Sequence, residues 1–272
     1  MSDVVQRPGP PPTLGLYLDS GLGQPATADV LPRVVEDVQA LLQRTADPVP
    51  RPESLGFAVN RGPIGGARYR KGIDDLRAKL RAGSLEEWQI TFKAGRTDSV
   101  AGLDWQAIPD DPAASLQMSL IVFPPVWPPD RVDAVAEDLV TLVKAWASPL
   151  ALVWGAVTYD RLLPKPSPYE RWYGLGHRHT APRSRDYLRG YYWANLLTGG
   201  HLARLAPLEP EDDIRVEDVP SSAGRTVLVR STHPISRFDN QRLAAMKQFL
   251  APALFPADSP TYRGYPLRII AD

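Results

Sequence analysis

Apolar and polar residues alternate along Thr13–Asp19 (TLGLYLD), the two-residue period of a β-strand. The spacing then lengthens. In TADVLPRVVEDVQALLQR, Leu31, Val34, Val35, Val38, Leu41 and Leu42 recur every three or four positions, predicting a helix with one apolar face and Thr27 as N-cap. SLGFAVN (54–60) predicts a second strand. GIDDLRAKLRAG predicts a short helix closed by Gly83 at the C′ position, and EEWQITFKAG and SLQMSLIVFPP predict two more strands. The order then restarts: strand SLQMSLIVF, link PPVWPP, helix DRVDAVAEDLVTLVKAWA capped by Asp130, strand LALVWGAVTYD.

Strand, link, amphipathic helix and strand thus occur at Leu14–Asn60 and again at Leu116–Asp160. This pattern predicts one α+β domain over 13–272 built from two topologically similar halves, 13–114 and 115–272. Residue identity between the halves is poor, so duplication and coincidence both stay open. A polar excursion, LPKPSPYERWYGLGHRHTAPRSRDYLRG, follows; it is too long for a tight turn. DDIRVEDVP and RTVLVRS predict a strand pair across SSAG. SRFDNQRLAAMKQFLAPAL predicts a last helix begun by Ser236 or Asp239. The fold class is α+β, a mixed or largely antiparallel sheet with helices packed on one side.

Proline, at 29 residues, gathers in RPGPPP, DPVPRP, FPPVWPPD and LLPKPSP, where it blocks helix and interior strand pairing and so marks element boundaries. Residues 1–12 read as a flexible Pro-rich tether. Lysine plus arginine equals aspartate plus glutamate at 31 each, so no whole-molecule field steers the chain toward nucleic acid or anionic lipid. There is no cysteine, which excludes disulfides, thiolate nucleophiles and cysteine-ligated zinc. The start has no apolar signal-peptide core, and no apolar run is long enough for a membrane span, so a cytoplasmic protein is expected.

Candidate chemistry is sparse. His177 and His179 share a strand-like face near Asp186, a pattern a metal can use. Their neighbours Arg178, Arg183 and Arg185 oppose a dication, so solvated loop histidines are the favoured reading and no metal or cofactor is expected. Arg161, Lys165, Arg171, Arg178, Arg183, Arg185 and Arg189 interleave with Tyr169, Trp172, Tyr173 and Tyr187, as single-stranded nucleic acid binding requires. The downstream acids Glu209–Asp218 offer an internal partner for this block, which is the preferred reading. NRGPIGGARYRKG (60–72) lacks the spacing of a phosphate-cradling loop and reads as a flexible basic loop. No G-x-S-x-G or H-E-x-x-H occurs, and enzymatic activity is not expected.

The stretch LRGYYWANLLTGGHLARLAPL (188–208) is the most distinctive. It alternates first, with Tyr187, Arg189, Tyr191 and Trp193 on one side and Leu188, Tyr192 and Ala194 on the other. From Thr198, an N-cap, the spacing becomes helical and buries Leu202 and Leu205; Pro207 ends it. Trp193 is expected in the core and Asn195 on backbone at the turn. In Tyr192, Trp193, Asn195, Leu196, Leu197, His201, Leu202, Arg204 and Leu205 the chain resembles bacterial polymorphic-toxin immunity proteins, namely the immunity protein 52 family and the related type VI secretion immunity family. The strand LALVWGAVTYD fits the same order, so the resemblance spans about the last 150 residues. It departs at Ala206-Pro207, where those proteins carry Gly-Gly.

The resemblance implies a cytoplasmic, stoichiometric inhibitor that binds a cognate toxin, often a nuclease domain. Such an inhibitor needs a local acidic surface to speed and orient association. Two segments qualify: TDSVAGLDWQAIPDD, with Asp98, Asp104, Asp110, Asp111 and Trp105 as an exposed anchor, and Glu209, Glu211, Asp212 and Asp213 leading to Asp218. The first is favoured because no basic block lies beside it. The alternative is a nucleic-acid- or ligand-binding module using residues 161–193.

Overall fold

The computed structural model describes residues 13–45, 55–59, 66–83, 87–94, 98–107, 116–122, 129–160, 168–175, 180–205, 207–209 and 212–256. The tether expected at residues 1–12 lies outside them. A 9-stranded sheet runs through the described residues. Its strands are β1 (Thr13–Ser20), β2 (Leu55–Val59), β3 (Glu87–Ala94), β4 (Asp98–Ala107), β5 (Leu116–Val122), β6 (Leu152–Asp160), β7 (Ala194–Leu197), β8 (Ile214–Asp218) and β9 (Val227–Ser231). Their order is β2-β3-β4-β5-β1-β6-β7-β9-β8, and every neighbouring pair is antiparallel. The helices are α1 (Gln24–Thr45), α2 (Gly66–Arg81), α3 (Pro129–Trp146), α4 (Pro168–Tyr173), α5 (Gly199–Arg204) and α6 (Asn240–Leu250).

Connection geometry explains why α1 and α3 share a face. From β1 the chain crosses through α1 to the far edge at β2; from the antiparallel β5 it crosses through α3 in the other direction to β6. Two right-handed crossovers running opposite ways from antiparallel strands place their helices on the same side. The two helices touch there: Trp146 Nε1 donates to Asp37 Oδ2 at 2.8 Å, and the Arg131 guanidinium donates to the Thr45 carbonyl at 2.5 and 3.1 Å. The expected apolar face of α1 is buried, from Leu31 through Leu42, in one cluster with Leu14, Leu16 and Leu18 of β1. β1 is also buried on its other face, at Gly15, Tyr17 and Asp19. It is the sheet's central strand, covered on both sides.

Strand order does not repeat between the halves. β5, β4 and β3 separate β1 from β2, whereas β1 alone separates β5 from β6. Helix α1 starts at Gln24, so Thr27 lies inside its first turn; the Thr27 hydroxyl donates to the Gly23 carbonyl instead of capping. Helix α1 also contains Pro32, which has no N–H for the Ala28 carbonyl. That acceptor is taken up from α2, where Arg77 Nε donates to it at 3.0 Å. Helix α2 begins at Gly66, so the basic loop expected over 60–72 is helical from residue 66 onward. Gly83 closes it at φ 64°, the left-handed conformation expected at C′. Helix α3 begins at Pro129, placing Asp130 inside the first turn, where its charge favours the helix dipole.

Two further expectations change. Residues 98–107, expected as part of an acidic loop, form β4, paired with β3 on one side and β5 on the other. The alternation over Tyr187–Trp193 is not a strand: β7 begins at Ala194, and the residues before it are irregular, joined to the segment after α6 by a Leu188–Leu254 bridge. The β8–β9 pair forms as expected, and Asp239 caps α6 by accepting from Arg242 N at 3.0 Å.

Candidate functional site

The first acidic candidate lies in the body of the sheet. Trp105, expected as an exposed anchor, is 1% exposed, because β4 turns it with Ala101 and Leu103 into the core. Asp104 on the other face is half-buried and accepts from Ser119 Oγ at 3.5 Å on the adjacent β5. Asp98 opens β4 opposite Ala94. Asp110 and Asp111 lie outside the described residues. With neighbours on both sides, β4 offers no free flank to a partner.

The second candidate lies at a sheet edge. Glu209, Asp212 and Asp213 are exposed just before β8, and Asp218 is exposed at its end; Glu211 lies outside the described residues. Glu217 turns toward α3 and joins a chain of ion pairs. Lys144 Nζ stands 2.5 Å from its Oε2, Arg230 Nε 3.0 Å and Arg215 Nε 3.1 Å from its Oε1. Arg230 Nη1 also reaches both Glu137 oxygens, at 2.6 and 2.7 Å. Burial works to raise the Glu217 carboxyl, but the hydrogen bond and charge of Lys144, with Arg230 and Arg215, hold it below its ordinary value. Burial likewise works against the Arg230 charge, and Glu137 and Glu217 outweigh it and raise the guanidinium. Among the described residues, the cations that pair with Glu217 come from α3 and the β8–β9 hairpin; of the 161–189 cations expected to answer the acidic run, Arg189 instead pairs with Glu170 and Asp19.

Beside this chain a recess of about 350 Å³ opens between α3 and β9, lined in part by Asp133, Glu137, Trp193, Arg215, Arg230 and His233. Its walls are held internally. Trp193 Nε1 donates to the His233 carbonyl at 2.8 Å, and Asp133 accepts from Ser236 N and Oγ, each at 2.8 Å. Asp213 Oδ1 meets His233 Nε2 at 2.9 Å on the rim. The recess is lined by charges of both signs, and Trp193 behind it is 1% exposed and belongs to the core. Among the described residues no group of histidines and carboxylates converges as a metal would require.

The Arg/aromatic segment turns inward. Arg189 is 1% exposed and bonds Glu170 through Nε (2.8 Å) and Nη2 (3.2 Å), while Nη1 stands 3.5 Å from Asp19 of β1. Thr180 donates to the same Glu170, and Gln117 Nε2 donates to Asp19 at 2.9 Å. Burial works to lower the Arg189 guanidinium, but Glu170 and Asp19 outweigh it and raise it above its ordinary value. Arg183 lies 4.6 Å over the Tyr187 ring and Arg204 3.9 Å over the same ring. Tyr169 donates to the Phe255 carbonyl at 2.7 Å, and burial pushes its hydroxyl up to about 12. Arg189 and Tyr169 are thus paired inside the fold, whereas Arg183 and Arg204 are exposed and stack on the half-buried Tyr187 at the surface. His177, His179, Arg161, Lys165 and Arg178 lie outside the described residues.

The remaining motif residues are buried: Tyr192, Trp193, Asn195, Leu196, Leu197, His201, Leu202 and Leu205. Asn195 closes a local loop, accepting from Tyr192 N at 3.0 Å and donating to Tyr192 O at 2.7 Å. Thr198, the N-cap of α5, donates its hydroxyl to the Val153 carbonyl of β6 at 2.8 Å. His201 Nδ1 accepts from Thr198 N at 3.1 Å, so Nε2 carries the hydrogen and donates to Ser184 O at 2.8 Å. Burial pushes the imidazole down to about 4.

No family model matches the chain, and no curated protein matches it in sequence. Its architecture is similar to that of a solved Pseudomonas aeruginosa protein, T6SS protein PA0821. The TM-score is 0.53 at 13% identity, over 96% of this chain and 79% of that one. At this identity the likeness is one of fold.

Proposed function

We propose that this protein is a type VI secretion immunity-type inhibitor. In this reading it binds a cognate toxin domain stoichiometrically in the cytoplasm of the cell it protects, and catalyses no reaction itself. The observation that carries the reading is the exposed acidic run Glu209, Asp212, Asp213 and Asp218 along a sheet edge. A nuclease-type toxin must hold its phosphate substrate in a positive cleft, and an acidic rim is a complementary surface for it. The fold shared with a protein named for the type VI system, and the resemblance at Tyr192–Leu205, support the same reading. The nucleic-acid alternative loses support because Arg189 and the Tyr169, Tyr191 and Tyr192 rings are buried.

The deciding experiment identifies a toxin domain encoded beside this chain and measures its association with the protein at two ionic strengths. Reversing Glu209, Asp212 and Asp213 to lysine is expected to slow association, most strongly at low salt, where like charges are least screened. Unchanged association at low salt would exclude this edge as the toxin-facing surface. Absence of any complex with that domain would overturn the inhibitor reading.

A further inference from the structure

Strand β8 is the last of its sheet, and nothing among the described residues pairs with its outer side. In an antiparallel ladder each strand sends every second residue's N–H and C=O to one neighbour. The bonds at the two ends of the β8–β9 ladder set the phase: Thr232 N donates to Asp213 O at 3.0 Å, and Val219 N donates to Thr226 O at 2.9 Å. With Ile214 opposite Ser231 and Asp218 opposite Val227, Arg215 and Glu217 bond toward β9. Ile214, Val216 and Asp218 therefore turn their N–H and C=O groups outward. Edges are commonly closed by a bulge, a proline or charged side chains. Here the register runs unbroken and the first proline is Pro220, past the strand, while the charges of β8, Arg215, Glu217 and Asp218, are of both signs and can answer those of a second strand.

We propose that a second copy of this chain fills this edge, β8 pairing antiparallel with β8 about a twofold axis through Val216. The phase permits it. Val216 turns its backbone groups outward at the middle of the strand, so in a twofold pair they meet those of Val216 in the second copy. Ile214 then meets Asp218, and the whole strand is paired. The charges fit the same alignment: Arg215 comes opposite Glu217 of the second copy, and Glu217 opposite Arg215, giving two opposite-sign cross-strand pairs. Arg215, its side chain 59% exposed, would exchange its 3.1 Å contact with Glu217 of its own strand for the one across the seam. An isologous contact of this kind closes on itself and produces a dimer rather than a fibre. The seam is short, so the dimer forms in a concentration-dependent equilibrium. Asp212 and Asp213 flank the seam at both ends and Asp218 lies within it, so the second copy and a toxin bound along this edge would compete.

The test is sedimentation velocity on the full chain from low micromolar to submillimolar concentration, with thermal melts alongside. The wild type is expected to pass from monomer to dimer across that range. Val216→Pro removes an N–H that makes no bond to β9, a substitution that an edge strand tolerates, and is expected to melt normally and remain monomeric. Arg215→Glu places like charges across the seam and is expected to raise the dissociation constant roughly tenfold or more at low salt. A wild type monomeric throughout would overturn the proposal, as would a Val216→Pro variant that dimerises undiminished. If Val216→Pro melts early, Arg215→Glu decides, and undiminished dimerisation of that variant at low salt overturns the pairing. None of these readouts involves a toxin, so failure here leaves the inhibitor reading standing.

Discussion

Arg77 Nε donates to the Ala28 carbonyl at 3.0 Å, supplying from α2 the hydrogen bond that Pro32 denies within α1. A carbonyl left without a donor where two helices pack costs about 1–3 kcal/mol. Arg77→Met keeps the aliphatic stem and removes the donor, so unfolding free energy is expected to fall by about 1–2 kcal/mol. Pro32→Ala restores the helical donor, and on that background Arg77→Met is expected to cost measurably less. Equal costs on the two backgrounds, measured as a denaturant double-mutant cycle, would show that the bond does not compensate the proline.

The pairing of Arg189 with Glu170 and Asp19 leads to a larger effect. Removing the cation leaves two carboxylates buried beneath the 168–193 segment, and breaking a buried ion pair from one side costs about 3–5 kcal/mol. Arg189→Ala should lower unfolding free energy by that amount. Arg189→Lys should recover only part of it, because a single ammonium cannot reproduce the two-pronged contact to Glu170. Full recovery in urea melts would show that charge alone suffices.

His201 gives the fold an acid-sensitive joint. Its folded value, near 4, lies below the ordinary 6.5, so between those pH values the unfolded chain binds more protons than the folded one. Stability therefore rises with pH across that window and is progressively lost as pH falls through it, by roughly 3 kcal/mol once the pH is below about 4. His201→Gln keeps an acceptor at the third position of α5 but does not titrate. The stability difference between the two proteins is expected to narrow as pH drops from 7 to 4. A pH-independent difference would place the imidazole in a less enclosed setting.

Trp105 distinguishes core from interface. Truncating a fully buried tryptophan typically costs about 3–5 kcal/mol. Trp105→Ala should therefore lower the melting temperature sharply, whereas a solvent-exposed residue would shift stability by under about 0.5 kcal/mol. Native-like melting with weakened toxin binding would return β4 to the list of contact surfaces.

The elements legible in the sequence were those whose apolar period was long and clean. The face of α1 from Leu31 to Leu42 and the strands β1, β5 and β6 were all readable from spacing. Strand β4 was not, because it carries Asp98, Gly102 and Asp104, residues that also make loops; only pairing on both flanks makes them a strand. The start of α1 was read at Thr27 rather than Gln24 because threonine is a good N-cap residue; Pro25, of a type favoured in a helix's first turn, was the signal for the earlier start. At the acidic edge, Glu209–Asp218 was visible as composition. Which cations answer it was not, since Lys144 and Arg230 reach Glu217 from 73 and 13 residues away. Long-range pairing leaves no local signal. The same holds for Glu170 and Arg189, whose shared surroundings exist only once β1 lies beneath them.

The central place of β1 sets a timetable for the chain's synthesis. Its Leu16 pairs with Leu120 and with Val157, both far downstream. Polypeptide leaves the ribosome at roughly 5–20 residues per second. An apolar strand with two bare edges therefore waits many seconds before either neighbour has been made. During that interval it is a template for pairing with any other open strand, and partner-dependent strands of this kind fold late and aggregate readily. Slowing translation between Ser20 and Leu116 should lengthen the exposure and raise dependence on chaperones, while slowing it after Asp160 should not.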